Sequence, residues 1–598
     1  MVSTKKIRSN TLQSYGLVQL WTQISLKRKK QFGFLLILML ATSLAEVFSL
    51  GAVLPFLGAL TAPDKIFSYA FMQPFFEIFH VLSPTQLLFP LTLLFILAAL
   101  IAGAMRLILL WTSTKLAFAT GADLSIEIYE RTLYQPYSVH CSRNSSEIIN
   151  GIISKTNNTI YSVIVPTLKF ITSAVILILI VIAMLFIEPL ITIYAFIGFG
   201  SIYALIILFT RNKQLQDSHL IARESSSVIK SLQEGLGGIR DVLLDNNQKI
   251  YCKTYHNADL SLRRAQGDNM FISQSPRFAM EALGMVLISL LAYFLAQEAS
   301  EVSKIVPTLG LLALGAQRLL PLLQQAYSSF SDIRVSRVSL LDVLSLLQQP
   351  LPKHAHLAKP KPLLFKEKIH VKNIRFQFDK NLPYVLNGIN FIIPKGSRLG
   401  FIGETGSGKS TMLDIIMGLL DPSKGVIEVD GEVINHRNKR FWQANIAHVP
   451  QNIFLADSTI EENIAFGVPP NEIDHKEVIK AAKQAQIYND IEGWPKKRQT
   501  LVGERGIRLS GGQRQRIGIA RALYKRANVI IFDEATSSLD MKTERSVMNS
   551  IEKLNKDLTL LIIAHRITTL KNCNQIIEIE KGIIKRKGSY KDIIKESH

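Results

Sequence analysis

The sequence predicts a two-part chain: an all-α membrane domain of six spanning helices, followed by an α/β domain built on a phosphate loop. Three observations carry this. Apolar residues concentrate in the first 345 positions, in six stretches nearly free of charge and long enough for helices of about 20 residues to cross about 30 Å of hydrocarbon. From Glu367 the texture changes to short apolar runs separated by polar helices and Gly-rich turns. Within this second part, Gly403 to Thr411 (GETGSGKST) fits the pattern GxxxxGK[ST] between a strand-like RLGFI and a helix-like TMLDIIMGLL.

The formal charge of +21 is compatible with nucleic-acid binding. However, Lys and Arg gather in loops that would all face one side of a bilayer, which the positive-inside rule explains with no nucleic acid as partner. Cys141, Cys252 and Cys573 are far apart and form no CxxC pair, so neither a disulfide framework nor a zinc site follows. The first apolar run begins beyond Lys30 and is too long for a signal-peptide core, so it is expected to be retained.

In chain order, residues 1–30 form an N-terminal interfacial element. Leu12, Leu17, Leu20, Trp21 and Ile24 fall near one helical face and a basic cluster follows, as suits a helix lying in the cytoplasmic interface. An amphipathic helix packed on protein is the alternative. The membrane domain covers 31–349, with six spans and long cytoplasmic helical extensions. Span 1 runs from Gln31 to Ala62 with a single charge, Glu46. The aromatic stretch between Pro63 and Pro84 reads as a short external helix or an apolar loop. Span 2 begins near Leu87, span 3 ends near Glu188, and span 4 covers Leu190 to Thr210. Span 5 runs from Arg277 to Gln297, and span 6 runs from Ile305 into a helical extension ending near Gln349. Residues 350–365, with four prolines and three lysines, form a linker to the second domain at 366–598.

The phosphate loop supplies the chemistry. Its glycines Gly403, Gly406 and Gly408, with Glu404, Thr405, Ser407 and Thr411, let backbone N–H groups converge on phosphate oxygens. Lys409 places a point charge on the β and γ phosphates, and Ser410 offers its hydroxyl to Mg2+. Downstream, VIIFDEATSSLD is an apolar strand ending in two carboxylates, of which Asp533 can stand near Mg2+ and Glu534 can polarise a water. LSGGQ, with Ser510, Gly511, Gly512 and Gln513, opens a polar helix and forms a second anion-binding surface.

Both motifs in this order, with Gln451 in VPQN and His565 in IIAHR, resemble the ATP-binding cassette superfamily, specifically exporters with six spans fused ahead of the cassette. The resemblance implies the fold of an exporter membrane domain joined to an α/β P-loop nucleotide-binding domain, with ATP and Mg2+ as ligands. It makes Gly403 to Thr411 the Walker A loop, Asp533 and Glu534 the end of Walker B, Ser510 to Gln513 the signature, Asp540 part of the D-loop and His565 the switch histidine. Gln451 would sense Mg2+. Phe378 stands where such proteins usually carry an adenine-stacking tyrosine, with Tyr384 in reserve, and Leu501 replaces a common glutamate in the cross-talk segment TLVGERG. Because each ATP in this family lies between the Walker loop of one cassette and the signature of another, the resemblance implies a dimer, and the intact motifs favour a homodimer over a heterodimer.

For the cargo, Glu46, Arg106, Lys169, Arg277 and Arg318 are candidates. Counting about 1.5 Å per residue places the four cations toward the cytoplasmic half of the bilayer. There they either receive an anionic headgroup or snorkel and pair with carboxylates such as Glu281. The patterns LAEVFSLGAVLPF and QRLLP, with the aromatic external segment, resemble exporters that flip lipid-linked oligosaccharides or export polysaccharide precursors in bacteria. That implies ATP-driven transfer of a glycolipid across an inner membrane, with both termini cytoplasmic. A multidrug, lipid A or peptide exporter of the same architecture is the alternative.

Overall fold

In the computed structural model, the described residues are 11–61, 63–67, 83–187, 189–298, 302–535, 539–552, 557–564 and 566–595. The chain divides into two compact units, residues 1–135 with 140–352 and residues 136–139 with 353–598.

The first unit is helical. Its elements are α1 (Thr11–Gln23), α2 (Leu26–Thr61), α3 (Leu88–Leu133), α4 (Val165–Ile187), α5 (Pro189–Gly237), α6 (Gln248–Glu298), α7 (Val302–Val335) and α8 (Arg337–Leu347). A helical run from Ser145 with two π-type segments, Gly151–Lys155 and Ile160–Ile164, leads into α4. Among the described residues, three runs are long and apolar enough to cross a membrane: Leu26–Val53, Leu88–Leu133 and Ser145–Phe186. Helices α5 to α7 each border or include residues that are not described. At 49 residues, α5 is about 70 Å long, more than twice a hydrocarbon thickness, so the polar stretches between spans are continuations of the spanning helices rather than loops.

One buried core joins α1, α2, α3, the π segment and α8, and a second joins α5, α6 and α7 through Tyr203, Met280 and Tyr327. Leu20 of α1, Met39 of α2, Leu124 and Ile128 of α3, Val163 of the second π segment and Val343 of α8 are buried together. A Cβ at Gly121 would lie 2.1 Å from Ile160 Cδ1, so the absence of a side chain sets how closely α3 approaches the π segment. The end of α8 is tied down by Arg131 of α3, which donates to Gln349 O at 2.7 Å, and Lys155 pairs with Asp342 at 2.5 Å. Helix α1 divides the expectation made for it. Leu20 and Ile24 are buried against protein, whereas Trp21 is 46% exposed, and the side chain of Leu12 lies outside the described residues. Most of the aromatic segment, 68–82, also lies outside them.

Among the described residues, the second unit carries ten strands in two sheets. An antiparallel sheet has the order β2-β1-β4-β5, with β1 Lys368–Phe376, β2 Leu386–Pro394, β4 Lys424–Val429 and β5 Glu432–Val433. A mainly parallel sheet has the order β10-β9-β3-β8-β7-β6. Its strands are β3 Arg398–Ile402, β6 Ile446–Val449, β7 Val529–Asp533, β8 Thr559–Ile563, β9 Gln575–Glu580 and the antiparallel edge β10 Ile583–Gly588. β3, β7 and β8 are continuous apolar runs, as strands covered on both faces must be. One face meets the antiparallel sheet through Phe391 and Phe401, and the other packs against helices through Val478, Ile519 and Phe532. The principal helices are α9 (Lys409–Ile416), α10 (His475–Gln484), α11 (Gly511–Tyr524) and α12 (Met541–Glu552). A helical membrane part joined to an α/β phosphate-loop part is the fold class the sequence predicts.

Candidate nucleotide site and membrane cavity

The parallel register explains why residues far apart in sequence meet. β3, β8, β7 and β6 are neighbours pointing the same way, so the segments leaving their carboxyl ends share one edge. Gly403 to Gly408 leaves β3, Asp533 and Glu534 end β7, and Gln451 follows β6. His565 follows β8 and lies outside the described residues.

The loop is shaped by backbone conformations that side chains oppose. Gly403 has φ +146° and a Cβ there would lie 2.1 Å from Ile579 O, while Gly408 has φ +101°. Glu404, Thr405 and Gly406 form an exposed rim, and Ser407, Gly408 and Lys409 are buried behind it. Lys409 Nζ donates to Gly403 O at 2.7 Å and to Glu404 O at 2.8 Å, so its own loop holds the ammonium. Burial lowers its pKa from the usual lysine range, against the raising pull of Glu534 and Asp533. Ser407 Oγ is buried with no hydrogen-bond partner among the described residues. An orphan hydroxyl and an ammonium satisfied only by carbonyls fit a phosphate chain, whose oxygens accept from both.

Across the edge, Ser410 Oγ lies 3.4 Å from Asp533 Oδ1. Gln451 Nε2 donates to Glu534 Oε2 at 2.6 Å. Glu534 has φ +52°, unusual for a non-glycine residue, while its N–H continues the ladder to Ile563 O at 3.1 Å. Ser410, Gln451 and Asp533 form an oxygen-bearing set suited to Mg2+, which would neutralise phosphate charge there. Thr411 continues α9 behind the loop.

Two nearby groups escaped the sequence reading. Asp414 is half-buried one turn along α9, and burial followed by repulsion from Asp533 pushes its pKa up to about 6. Gly582, in the turn between β9 and β10, donates its N–H to Ser407 O at 3.2 Å. Its tight-turn dipeptide Lys581-Gly582 was the only available signal.

The signature is a separate, finished piece. Ser510 caps α11: its Oγ accepts from Gln513 N at 3.2 Å, and Gln513 Oε1 accepts from Ser510 N at 3.0 Å. Gln513 Nε2 donates to Asp490 at 3.2 Å, and Arg516 pairs with the same Asp490 at 2.9 Å. Among the described residues, the hydrogen bonds of Ser510 and Gln513 run within this group and not to the phosphate loop. Gly511 and Gly512 are the first two residues of the helix, whose N-terminus carries no side chain at either position. Asp540 caps α12 through Lys542 N and Thr543 N, and its pKa is lowered chiefly by hydrogen bonding from the Thr543 side chain. Phe378 is exposed just beyond β1, with its ring edge-on to Phe376 at 5.0 Å, and Tyr384 is partly exposed on the return to β2. Leu501 of the cross-talk segment is about half-exposed beside Thr459, with which it forms a single bridge.

In the membrane unit, Arg106 and Lys169 line one cavity of 360 Å³ with Thr42, Thr172, Gln317 and Gln325. Glu46 is buried and forms an ion pair with Arg106. Arg277 lines a different cavity with Asn269 and Asp332 and pairs with Glu281 at 2.8 Å. The side chain of Arg318 lies outside the described residues. The five candidates therefore do not form one cluster: Glu46, Arg106 and Lys169 stand together and Arg277 stands apart.

Residues 386–537 match the family ABC transporter, and residues 32–312 match the ABC transporter transmembrane region, so that the two together take in most of the chain. The chain belongs to the ABC transporters. A bacterial Atm1-family ABC exporter with ATP bound has the same fold, with a TM-score of 0.76 at 21% identity over 95% of this chain and 96% of that one. This ABC transporter is 30% identical over 391 residues to an ATP-dependent lipid A-core flippase of Photobacterium profundum, covering 64% of each. It is 36% identical over 274 residues to the alpha-hemolysin translocation ATP-binding protein HlyB of Escherichia coli, covering 46% of this chain and 38% of that one. The chain thus spans less than two thirds of the length of these curated relatives. Both parts of an exporter half-transporter, the membrane region and the ATP-binding cassette, are present in one chain.

Proposed function

We propose that two copies of this chain form an ATP-driven exporter that moves a lipid-type substrate with an anionic headgroup, a lipid-linked oligosaccharide or related glycolipid, from the inner to the outer leaflet of a bacterial plasma membrane, with the cassettes and both termini cytoplasmic. The observation that carries the ATPase half of this reading is the Gln451–Glu534 contact beside Asp533 and Ser410. In this scheme Glu534, held by Gln451, accepts a proton from water as the water oxygen bonds to the γ-phosphorus and the bond to the bridging oxygen of ADP breaks. Lys409 and the loop N–H groups stabilise the phosphate charge, and Phe378 stacks on adenine. His565 is assigned to the γ-phosphate, and Mg2+ to Ser410, Gln451 and Asp533. Ser510 to Gln513 and Asp540 of one copy complete the site of the other. Crosslinking of the purified chain in a bilayer tests the homodimer; monomers without ATPase activity would overturn it.

The cargo reading rests on the cavity of Arg106 and Lys169, where cationic and hydroxyl groups adjoin Leu109, Leu168 and Ile176, an arrangement suited to an anionic head joined to an apolar tail. The relative that is a lipid A-core flippase supports a lipid-type cargo, and the hemolysin translocator keeps protein or peptide export as the second reading. ATPase activity in nanodiscs, titrated with a polyprenyl-pyrophosphate oligosaccharide, with lipid A and with apolar drugs, decides among them. Stimulation by the glycolipid that weakens in Lys169→Ala supports the proposal; a response to drugs alone refutes it.

A further inference from the structure

A second cavity in the membrane unit has a different character. It measures 330 Å³, within the range of about 300–1,000 Å³ usual for ligand sites, and lies between α1, the start of α2 and the π segment leading to α4. Its walls are apolar almost throughout: Leu20 and Trp21 of α1, Phe32 and Leu36 of α2, Val163 and Ile171 behind them. Helix α2 lies in one of the three runs apolar enough to cross a membrane, and Leu36 is exposed, so the groove faces the bilayer.

One cation stands at its mouth. Lys29 lines the groove with its Nζ 6.0 Å from the Trp21 ring centroid, and Trp21 in turn packs on Phe32 at 5.7 Å. Among the described residues Lys29 has no carboxylate partner; its Nζ donates only to Thr22 O, at a long 3.4 Å. Its neighbour Arg28, by contrast, is neutralised by Asp123 at 2.8 Å, while Lys27 and Lys30 are exposed beside it. Gly33 opens the floor of the groove, since a Cβ there would meet nothing within 4 Å.

We propose that this groove binds one anionic phospholipid of the surrounding bilayer, with an acyl chain between α1 and α2 and its phosphate on Lys29. An apolar slot open to the membrane and capped by an ammonium without a carboxylate partner matches that ligand in both halves; a soluble anion lacks the acyl chain, and in a zwitterionic lipid the headgroup's own cation offsets the phosphate charge. The groove shares Leu168 with the cavity of Arg106 and Lys169 but neither of its cations, and the assignment does not depend on what the transporter exports.

Tryptophan quenching of the full chain in nanodiscs tests it. Nanodiscs of phosphatidylcholine receive the same mole fraction of brominated phosphatidylglycerol or brominated phosphatidylcholine, and subtraction of Trp21→Phe isolates the Trp21 signal. One engaged basic side chain corresponds to a preference of about five-fold for the anionic lipid. We expect phosphatidylglycerol to be the stronger quencher by that order, and the excess to disappear both in Lys29→Gln and in Gly33→Leu, which adds an apolar side chain at a groove position where a Cβ meets nothing within 4 Å. Equal quenching by the two lipids overturns the proposal. So does an excess that survives Gly33→Leu, which would place the lipid on the basic surface rather than in the groove, or one that survives Lys29→Gln.

Discussion

Gln451 Nε2 donates to Glu534 Oε2 at 2.6 Å, joining the segment after β6 to the end of β7 across the nucleotide edge. Glu534 also sits in a left-handed conformation, so the carboxylate is aimed by the backbone and by an amide together. Glu534→Gln should lower the ATPase rate by about 10²–10⁴ while nucleotide still binds. Gln451→Ala should lower it by roughly ten-fold through the loss of its hold on Glu534, with Ser410 and Asp533 left to hold Mg2+. The double variant should then be no slower than Glu534→Gln, whereas independent roles would multiply the two losses.

The two loop glycines Gly403 and Gly406 should respond differently to the same change. Both have positive φ, but a Cβ at Gly406 meets open space and one at Gly403 meets Ile579 O. Gly406→Ala should therefore cost only the backbone preference, about 1–2 kcal/mol, and retain nucleotide binding. Gly403→Ala adds a clash worth about another 1–3 kcal/mol and should abolish binding of a fluorescent nucleotide.

Asp414 should make the nucleotide domain more stable in mild acid. Its pKa of about 6 lies above the ordinary 3.8, so between those values the folded chain holds a proton that the unfolded chain has released. Its contribution is full below about 4 and is lost as the pH rises through 6. At neutral pH Asp414→Asn should raise the thermal transition of the full chain by an amount equivalent to about 1–2 kcal/mol, allowing for screening of a half-buried group. The slope of stability between pH 4 and 6 should flatten in that variant.

Glu46 and Arg106 should show the asymmetry of a pair with one deeply buried member. Glu46 is 2% exposed, so Arg106→Ala leaves a carboxylate without its cation and should destabilise by about 3–5 kcal/mol. Glu46→Gln combined with Arg106→Ala should recover part of that loss, as read by thermal unfolding in detergent.

The features most legible in the sequence were those with a short pattern or a strong period. The apolar runs located the C-terminal end of α2, the start of α3 and the C-terminal end of α4, and GETGSGKST stood between β3 and α9 because strand, loop and helix are contiguous there. Contacts between distant segments were not legible. Glu461 is buried with His475 at 2.6 Å, Gln499 at 2.7 Å and Arg498 at 3.0 Å, a network spread over 39 positions with no spacing rule. The pairing of Glu46 with Arg106 was equally hidden, since it depends on how α2 lies against α3. Helical extensions beyond the bilayer were expected from the sequence, but how far each spanning helix continues was not legible, because the polar composition of these stretches resembles that of loops.

The capping box of Ser510 and Gln513 has a mechanical consequence. Since the serine hydroxyl already holds the Gln513 backbone N–H, the glutamine side chain holds the Ser510 N–H, and Asp490 holds the glutamine, the signature needs no ordering in the proposed dimer. Little of the affinity for nucleotide is then absorbed by arranging this loop. What remains is available to translate and rotate a rigid block, so the signature can act as a lever arm whose stiffness is set before ATP arrives.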